Sequence, residues 1–218
     1  MDNQKIINAI EKNKVFGIAR GIPVEFFHDA METLYQAGIR LIEVTFDRKN
    51  GDEQTIECLK ILRSEFSDKL IYGVGTVTEC SQVETARSMG CHFIVSPDCD
   101  PEVIRKTKKL EMISIPGAMT ATEVVVANRA GADFVKLFPG GIFGPEYFKA
   151  LSAPLSDIKF IAVGGVDTGN IPAFYKAGAV GFGIGSNLVN NQYIITKNFE
   201  ALSKGAQKFV QVCHSLGE

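Results

Sequence analysis

Sparse histidine and unpaired cysteine set the first limits. Among 218 residues there are three histidines and five cysteines, and Cys58, Cys80, Cys91, Cys99 and Cys213 include no C-x-x-C pair. An odd set without paired spacing argues against a disulfide framework and against a zinc site. His28 has Glu32 one helical turn further on, His92 starts a strand and His214 lies near the C-terminus, none with a second ligand group at a metal-site spacing. All three read as structural or solvated, and no metal is expected. The chain also lacks any block rich in lysine or arginine, and its formal net charge is −2. Neither nucleic acid nor an anionic membrane surface is therefore expected as a partner. No stretch approaches the roughly 18 uninterrupted apolar residues that a spanning helix needs. The opening MDNQKIINAIEKNK has no apolar signal core, so a cytoplasmic location without membrane contact is expected.

What is present is ordinary globular composition, 45% hydrophobic and 22% charged, enough for one domain over residues 1–218. Apolar, β-branched runs predict strands at 14–20, 40–46, 69–76, 92–97, 112–116, 134–139, 159–164 and 180–186. Segments of helical periodicity lie between them, among them VEFFHDAMETLYQAG, DEQTIECLKILRSEF, TATEVVVANRAG and IPAFYKAG. Regular alternation of strand and helix means a parallel sheet. The eight units predict an α/β fold, a (β/α)8 TIM barrel, with an extra N-terminal helix at residues 2–12 and a C-terminal helix at about 195–215. A doubly wound open sheet is the competing architecture.

Lys136 is the odd residue of its strand. It sits in GADFVKLFPGG, where period-two alternation puts Phe134, Lys136 and Phe138 on one face. A repeat supplies it with neighbours: QAG, SMG, RAG and KAG end helices at Gly38, Gly90, Gly131 and Gly178, each just before an even-numbered strand. Five residues past each glycine stand Glu43, Val95, Lys136 and Gly183. In a barrel, alternate strands fill the interior in layers of four, so these four residues are expected to share one layer with Lys136 facing Glu43. Such a pair is either a buried ion pair, a weak stabiliser, or a desolvated amine poised as a nucleophile toward carbonyl carbon with a carboxylate to move protons. The second reading is the stronger, because lysine is rarely kept on an apolar strand face for packing.

The strand ends, where barrels place their chemistry, add candidates. Gly164 and Gly165 in AVGGVDTGN, with Gly185 and Ser186 in GIGSN, offer backbone N–H groups to a phosphate, or merely serve tight turns. Arg20 and Arg48 are candidate carboxylate clamps, or exposed surface residues.

The ordered set I-E-V-T at 42–45, G-V-G-T-V at 73–77, F-I-V-S-P at 93–97, I-P-G at 115–117, F-V-K-L-F-P at 134–139, G-G-V at 164–166 and G-I-G-S at 183–186 resembles the 2-keto-3-deoxy-6-phosphogluconate (KDPG) and 4-hydroxy-2-oxoglutarate (KHG) aldolases. The resemblance implies a metal-independent and cofactor-free Schiff-base lyase on a small barrel, assembled as a homotrimer. Its substrates would be a phosphorylated 2-keto-3-deoxy acid, cleaved to pyruvate and glyceraldehyde 3-phosphate, and 4-hydroxy-2-oxoglutarate, cleaved to pyruvate and glyoxylate. By motif, Lys136 would form the imine and Glu43 would be the general acid/base. Thr76 would hold the pyruvyl carboxylate or orient the proton relay, Pro97 and Phe138 would shape the imine pocket, and Arg20 would contact substrate. Gly165 and Ser186 match the distal phosphate site. Two positions depart from the family pattern. EVTFDRKN has Asp47 where the family places arginine, with Arg48 one residue later, and Val163 stands where many members carry a hydroxyl residue. Two other readings of the chain are an isomerase or thiamine-phosphate-synthase type of barrel, which leaves Lys136 unexplained, and a non-catalytic metabolite-binding barrel.

Overall fold

Parallel strands wind into a nearly closed barrel in the computed structural model, which describes residues 2–216. The strands are β1 (Val15–Ala19), β2 (Leu41–Thr45), β3 (Ile71–Gly75), β4 (Phe93–Val95), β5 (Ile113–Ile115), β6 (Gly117–Ala118), β7 (Val135–Leu137), β8 (Phe160–Val163) and β9 (Ala179–Ile184). Their lateral order is β5-β4-β3-β2-β1-β9-β8-β7-β6. The two ends of that order are adjacent in the chain: β5 lies in the strand predicted at 112–116, and β6, just beyond that range, follows directly after Pro116. A proline supplies no N–H to a ladder, so pairing changes hands there: β5 pairs with β4, and β6 pairs with β7. The seam is stitched by Phe134 N donating to Ser114 O at 3.3 Å and Lys136 N donating to Pro116 O at 2.8 Å. An open doubly wound sheet is thereby excluded.

Helices α2 (Val24–Gln36), α3 (Glu53–Glu65), α4 (Cys80–Ser88), α5 (Pro101–Lys109), α6 (Ala121–Ala130), α7 (Gly140–Ser152) and α8 (Ile171–Lys176) alternate with the strands. The C-terminal helical segment divides into α9 (Asn191–Ile195) and α10 (Phe199–His214). Local chemistry fixes their ends. In α6, Thr120 and Glu123 form a reciprocal capping box, and Gly131 closes the helix in the left-handed region at φ 104°. That closure sets where β7 begins, and so the register of Lys136.

Two apolar layers follow from the strand alternation. One lies between the sheet and the helices. The other fills the barrel, with Phe16, Leu41, Phe93, Phe134 and Ile161 buried together with Ile6 and Ile10 of α1 (Asn3–Asn13). Helix α1 thus closes the N-terminal mouth of the barrel, and the ion pair of Lys159 with Glu11 at 2.7 Å holds it there.

Candidate active site

Four strands bring the residues of the expected layer together. Glu43 of β2, Val95 of β4, Lys136 of β7 and Gly183 of β9 line a common void inside the barrel, as the glycine-anchored repeat requires. Above that void a cavity of about 290 Å³ opens at the C-terminal ends of the strands. Ten of the eleven candidates line it: Arg20, Glu43, Thr76, Pro97, Lys136 and Phe138 on one part, and Gly164, Gly165, Gly185 and Ser186 on another. Arg48 is not in its walls. The Asp47 carboxylate accepts from Lys49 N, Asn50 N and Asn50 Nδ2 at 2.9, 3.1 and 2.7 Å, which folds the loop onto itself and leaves Arg48 on an exposed turn.

Glu43 and Lys136 are only 4% and 7% exposed, yet neither side chain makes a hydrogen bond or an ion pair within 4.0 Å to any described residue. No fully buried side-chain nitrogen or oxygen lacks a partner among the described residues, so both polar tips reach the cavity. Two charges kept out of water and held apart are poor stabilisers of a fold. They are, however, free to meet a ligand. Burial pushes the Glu43 carboxyl up, against the opposing pull of Lys136 and Arg20. Burial pushes the Lys136 amine down, partly offset by Glu43 and reinforced by Arg20. The shifts run in the sense that puts an uncharged nucleophile beside a proton carrier near neutral pH. The face of Phe138 lies 4.7 Å from Lys136 Nζ and shields one side of the amine.

The glycine beside the carboxylate is a spatial necessity. A Cβ on Gly75 would stand 1.8 Å from Glu43 Oε1 and 2.5 Å from its Cδ. The next residue, Thr76, adopts φ 62°, a left-handed conformation that costs a non-glycine residue about 1–3 kcal/mol. Its hydroxyl accepts from Arg20 Nη2 at 3.3 Å. Thr76 lines the cavity together with Arg20 and Glu43.

At the other wall, Gly164 and Gly165 follow one another at φ 85° and 73°. Gly164 O accepts from Gly141 N at 2.6 Å and Gly165 O from Asn170 Nδ2 at 2.8 Å, so the carbonyls turn away from the cavity. The N–H groups of Gly165, Val166, Ser186 and Asn187 donate to no described residue. Free N–H groups on two turns that line one cavity are the kind of donor an anion can use. Ile18, Val163, Val166 and Asn187 also line the cavity. Asn187 was not singled out from the sequence, and its only signal there was its place directly after G-I-G-S.

The chain is similar to known proteins over most of its length. A family model described as KDPG and KHG aldolase matches residues 6–204. The 2-dehydro-3-deoxy-6-phosphogalactonate aldolase of Escherichia coli K12 is 36% identical over 201 residues, 92% of this chain and 94% of the relative. The 2-dehydro-3-deoxy-phosphogluconate aldolase of Treponema pallidum is 29% identical over 208 residues, covering 95% and 97%. A solved structure described as native KDPGal superposes with TM-score 0.83 at 34% identity, covering 93% of this chain and 95% of the other.

Proposed function

Because this chain belongs to the KDPG and KHG aldolase family, whose named members are lyases, we propose that it cleaves its substrate through a Schiff base on Lys136. Neutral Lys136 attacks the C2 ketone of a 2-keto-3-deoxy acid. The carbinolamine then loses water to give an iminium. Glu43, directly or through water, takes the proton of the C4 hydroxyl. The C3–C4 bond breaks and its electron pair enters the iminium, forming an enamine and releasing an aldehyde. Protonation at C3 and hydrolysis free pyruvate and restore the lysine. The iminium is the electron sink, so the reading calls for no cofactor. Its main support is the pair of buried, unpartnered charges facing one cavity. Thr76 and Arg20 are assigned to the carboxylate of the pyruvyl end, and the free N–H groups around Gly165 and Ser186 to a distal phosphate. With Arg48 turned outward, Arg20 is the guanidinium at the cavity.

Incubation with pyruvate and borohydride, followed by peptide mapping, tests the reading. The adduct is expected at Lys136, and an intact protein without adduct refutes it. The pH profile of trapping carries further information. Below the pKa of Lys136 the neutral fraction rises tenfold per pH unit, so trapping is expected to climb with pH and level off below the ordinary lysine value. A rate still climbing at that value would mean an undisturbed amine.

The preferred acid is the 6-phosphogalactonate derivative, with its gluconate epimer and 4-hydroxy-2-oxoglutarate as poorer substrates. The epimers differ at C4, the centre whose hydroxyl gives up its proton. Val163 lines the cavity and offers that region methyl groups instead of a hydroxyl. A C4 hydroxyl that needed a donor there would forgo about 1 kcal/mol. The greater identity to the galactonate enzyme supports the same choice. Val163→Thr is accordingly expected to move the galactonate-to-gluconate ratio of kcat/KM toward gluconate by about fivefold, and an unchanged ratio would remove Val163 from the argument.

The expected homotrimer and cytoplasmic location belong to the same proposal. Ile142 and Phe143 at the start of α7 are 76% and 51% exposed, an apolar cluster suited to being covered by another copy. No helix among the described residues is long and apolar enough to cross a membrane.

A further inference from the structure

An open groove of about 750 Å³ lies beside the phosphate end of the cavity. Ser186 and Asn187 line both, so the groove joins the cavity at N–H groups assigned to phosphate. Its far wall is α10, which contributes Lys204, Gly205 and Lys208. The two lysines are one helical turn apart and share a face. Lys204 pairs with Glu200 on the solvent side, whereas Lys208 makes no ion pair within 4.0 Å to any described residue. Asp167, the carboxylate of the groove, is engaged with its own turn, accepting from Gly169 N and Asn170 N at 2.8 and 3.0 Å. The chain as a whole carries −2 and exerts no long-range pull on a dianion. Local cations at the entrance therefore decide how a phosphate approaches.

Gly205 is a second, independent observation. It lies within the 16-residue helix α10, where glycine is the least favourable residue after proline. A Cβ there would meet no atom within 4 Å, so packing does not require its absence. Bare backbone between two lysines keeps the groove floor open to a ligand.

We propose that this groove is an outer anion subsite, which receives the phosphate of a phosphorylated sugar acid before it seats on the inner N–H groups. The identity of the ligand rests on the aldolase reading, while the existence of the subsite does not. Two variants test it: Lys204→Glu with Lys208→Glu, which reverses the charge, and Gly205→Leu, which fills the floor with a better helix former. In each, the ratio of kcat/KM for the phosphorylated acid to that for unphosphorylated 4-hydroxy-2-oxoglutarate is expected to fall about tenfold at low ionic strength. For the charge variant the deficit should shrink at about 1 M salt, where screening acts within a few ångströms. Equal loss on both substrates, or no loss, overturns the proposal. Inorganic phosphate titrated into nitrogen-15-labelled protein supplies a test that needs no turnover. The Gly205 amide resonance should move in the natural protein and stay in place in the charge variant. Movement confined to Gly165 and Ser186 in the natural protein would show that the outer subsite does not exist, even if the chain proved not to be an aldolase.

Discussion

Lys136→Met is expected to abolish borohydride trapping and to lower kcat/KM by at least about 10⁴-fold, with the barrel intact. The second half of that expectation separates it from ordinary core damage. Methionine has a similar reach and keeps contact with Phe138 and the walls of the void. Its thioether, unlike an ammonium, loses nothing by leaving water. The sign of the stability change follows from titration. Burial lowers the pKa of Lys136 in the folded chain, so at any pH below that lowered value the folded state must hold a proton it disfavours. That penalty is fully present below the lowered value and vanishes as pH rises past the ordinary lysine value. Removing the amine deletes the penalty. Glu43, left without its lysine, can take up a proton because its own pKa is raised. The melting temperature should therefore equal or exceed that of the natural protein at pH 7. A large drop would mean that the Lys136–Glu43 pair holds the barrel together, which favours the structural reading over the chemical one.

Gly75→Ala should cost about 10² to 10⁴-fold in kcat/KM without adding or removing any functional group. The backbone at Gly75 does not need a positive φ, so alanine is conformationally acceptable. Its methyl, however, would occupy the place of the Glu43 carboxylate, with a separation of 1.8 Å from Oε1 that must be relieved by movement. Gly75 lies in the sheet and Glu43 ends in a flexible carboxylate, so the carboxylate moves. Comparison with Glu43→Gln decides whether this is the route. If alanine acts only by displacing Glu43, the double variant should be no worse than the poorer single one. Additive losses would show that Gly75 matters for another reason.

Residue-level legibility in this chain follows the length of the pattern that carries the information. The eight units were readable because apolar alternation and glycine helix ends recur many times. Those same glycines fixed the register that places Lys136 and Glu43 in one layer. The further short strand after Pro116 was not readable, since β6 is two residues long and has no periodicity. Whether Arg48 reaches the cavity was likewise undecidable from composition. It turns on three hydrogen bonds within one loop, made by Asp47. The strained φ of Thr76 leaves no trace in residue type, because threonine ordinarily avoids that conformation. Asn187 and the lysines of α10 become legible only once the loop after β9 and the last helix are folded side by side.

The closed floor of the cavity has a kinetic consequence. Phe16, Phe93, Phe134 and Ile161 fill the barrel beneath Lys136, with Ile6 and Ile10 of α1 packed under them, so the cavity opens toward the C-terminal ends of the strands. Whatever is tethered to Lys136 sits at the bottom, and the fragment carrying the phosphate lies between it and the exit. On the proposed chemistry the aldehyde must then depart first and pyruvate last. In the reverse direction, pyruvate has to enter an empty vessel before the aldehyde can follow. The covalent bond to Lys136 and the packed floor beneath it together impose that sequence of events.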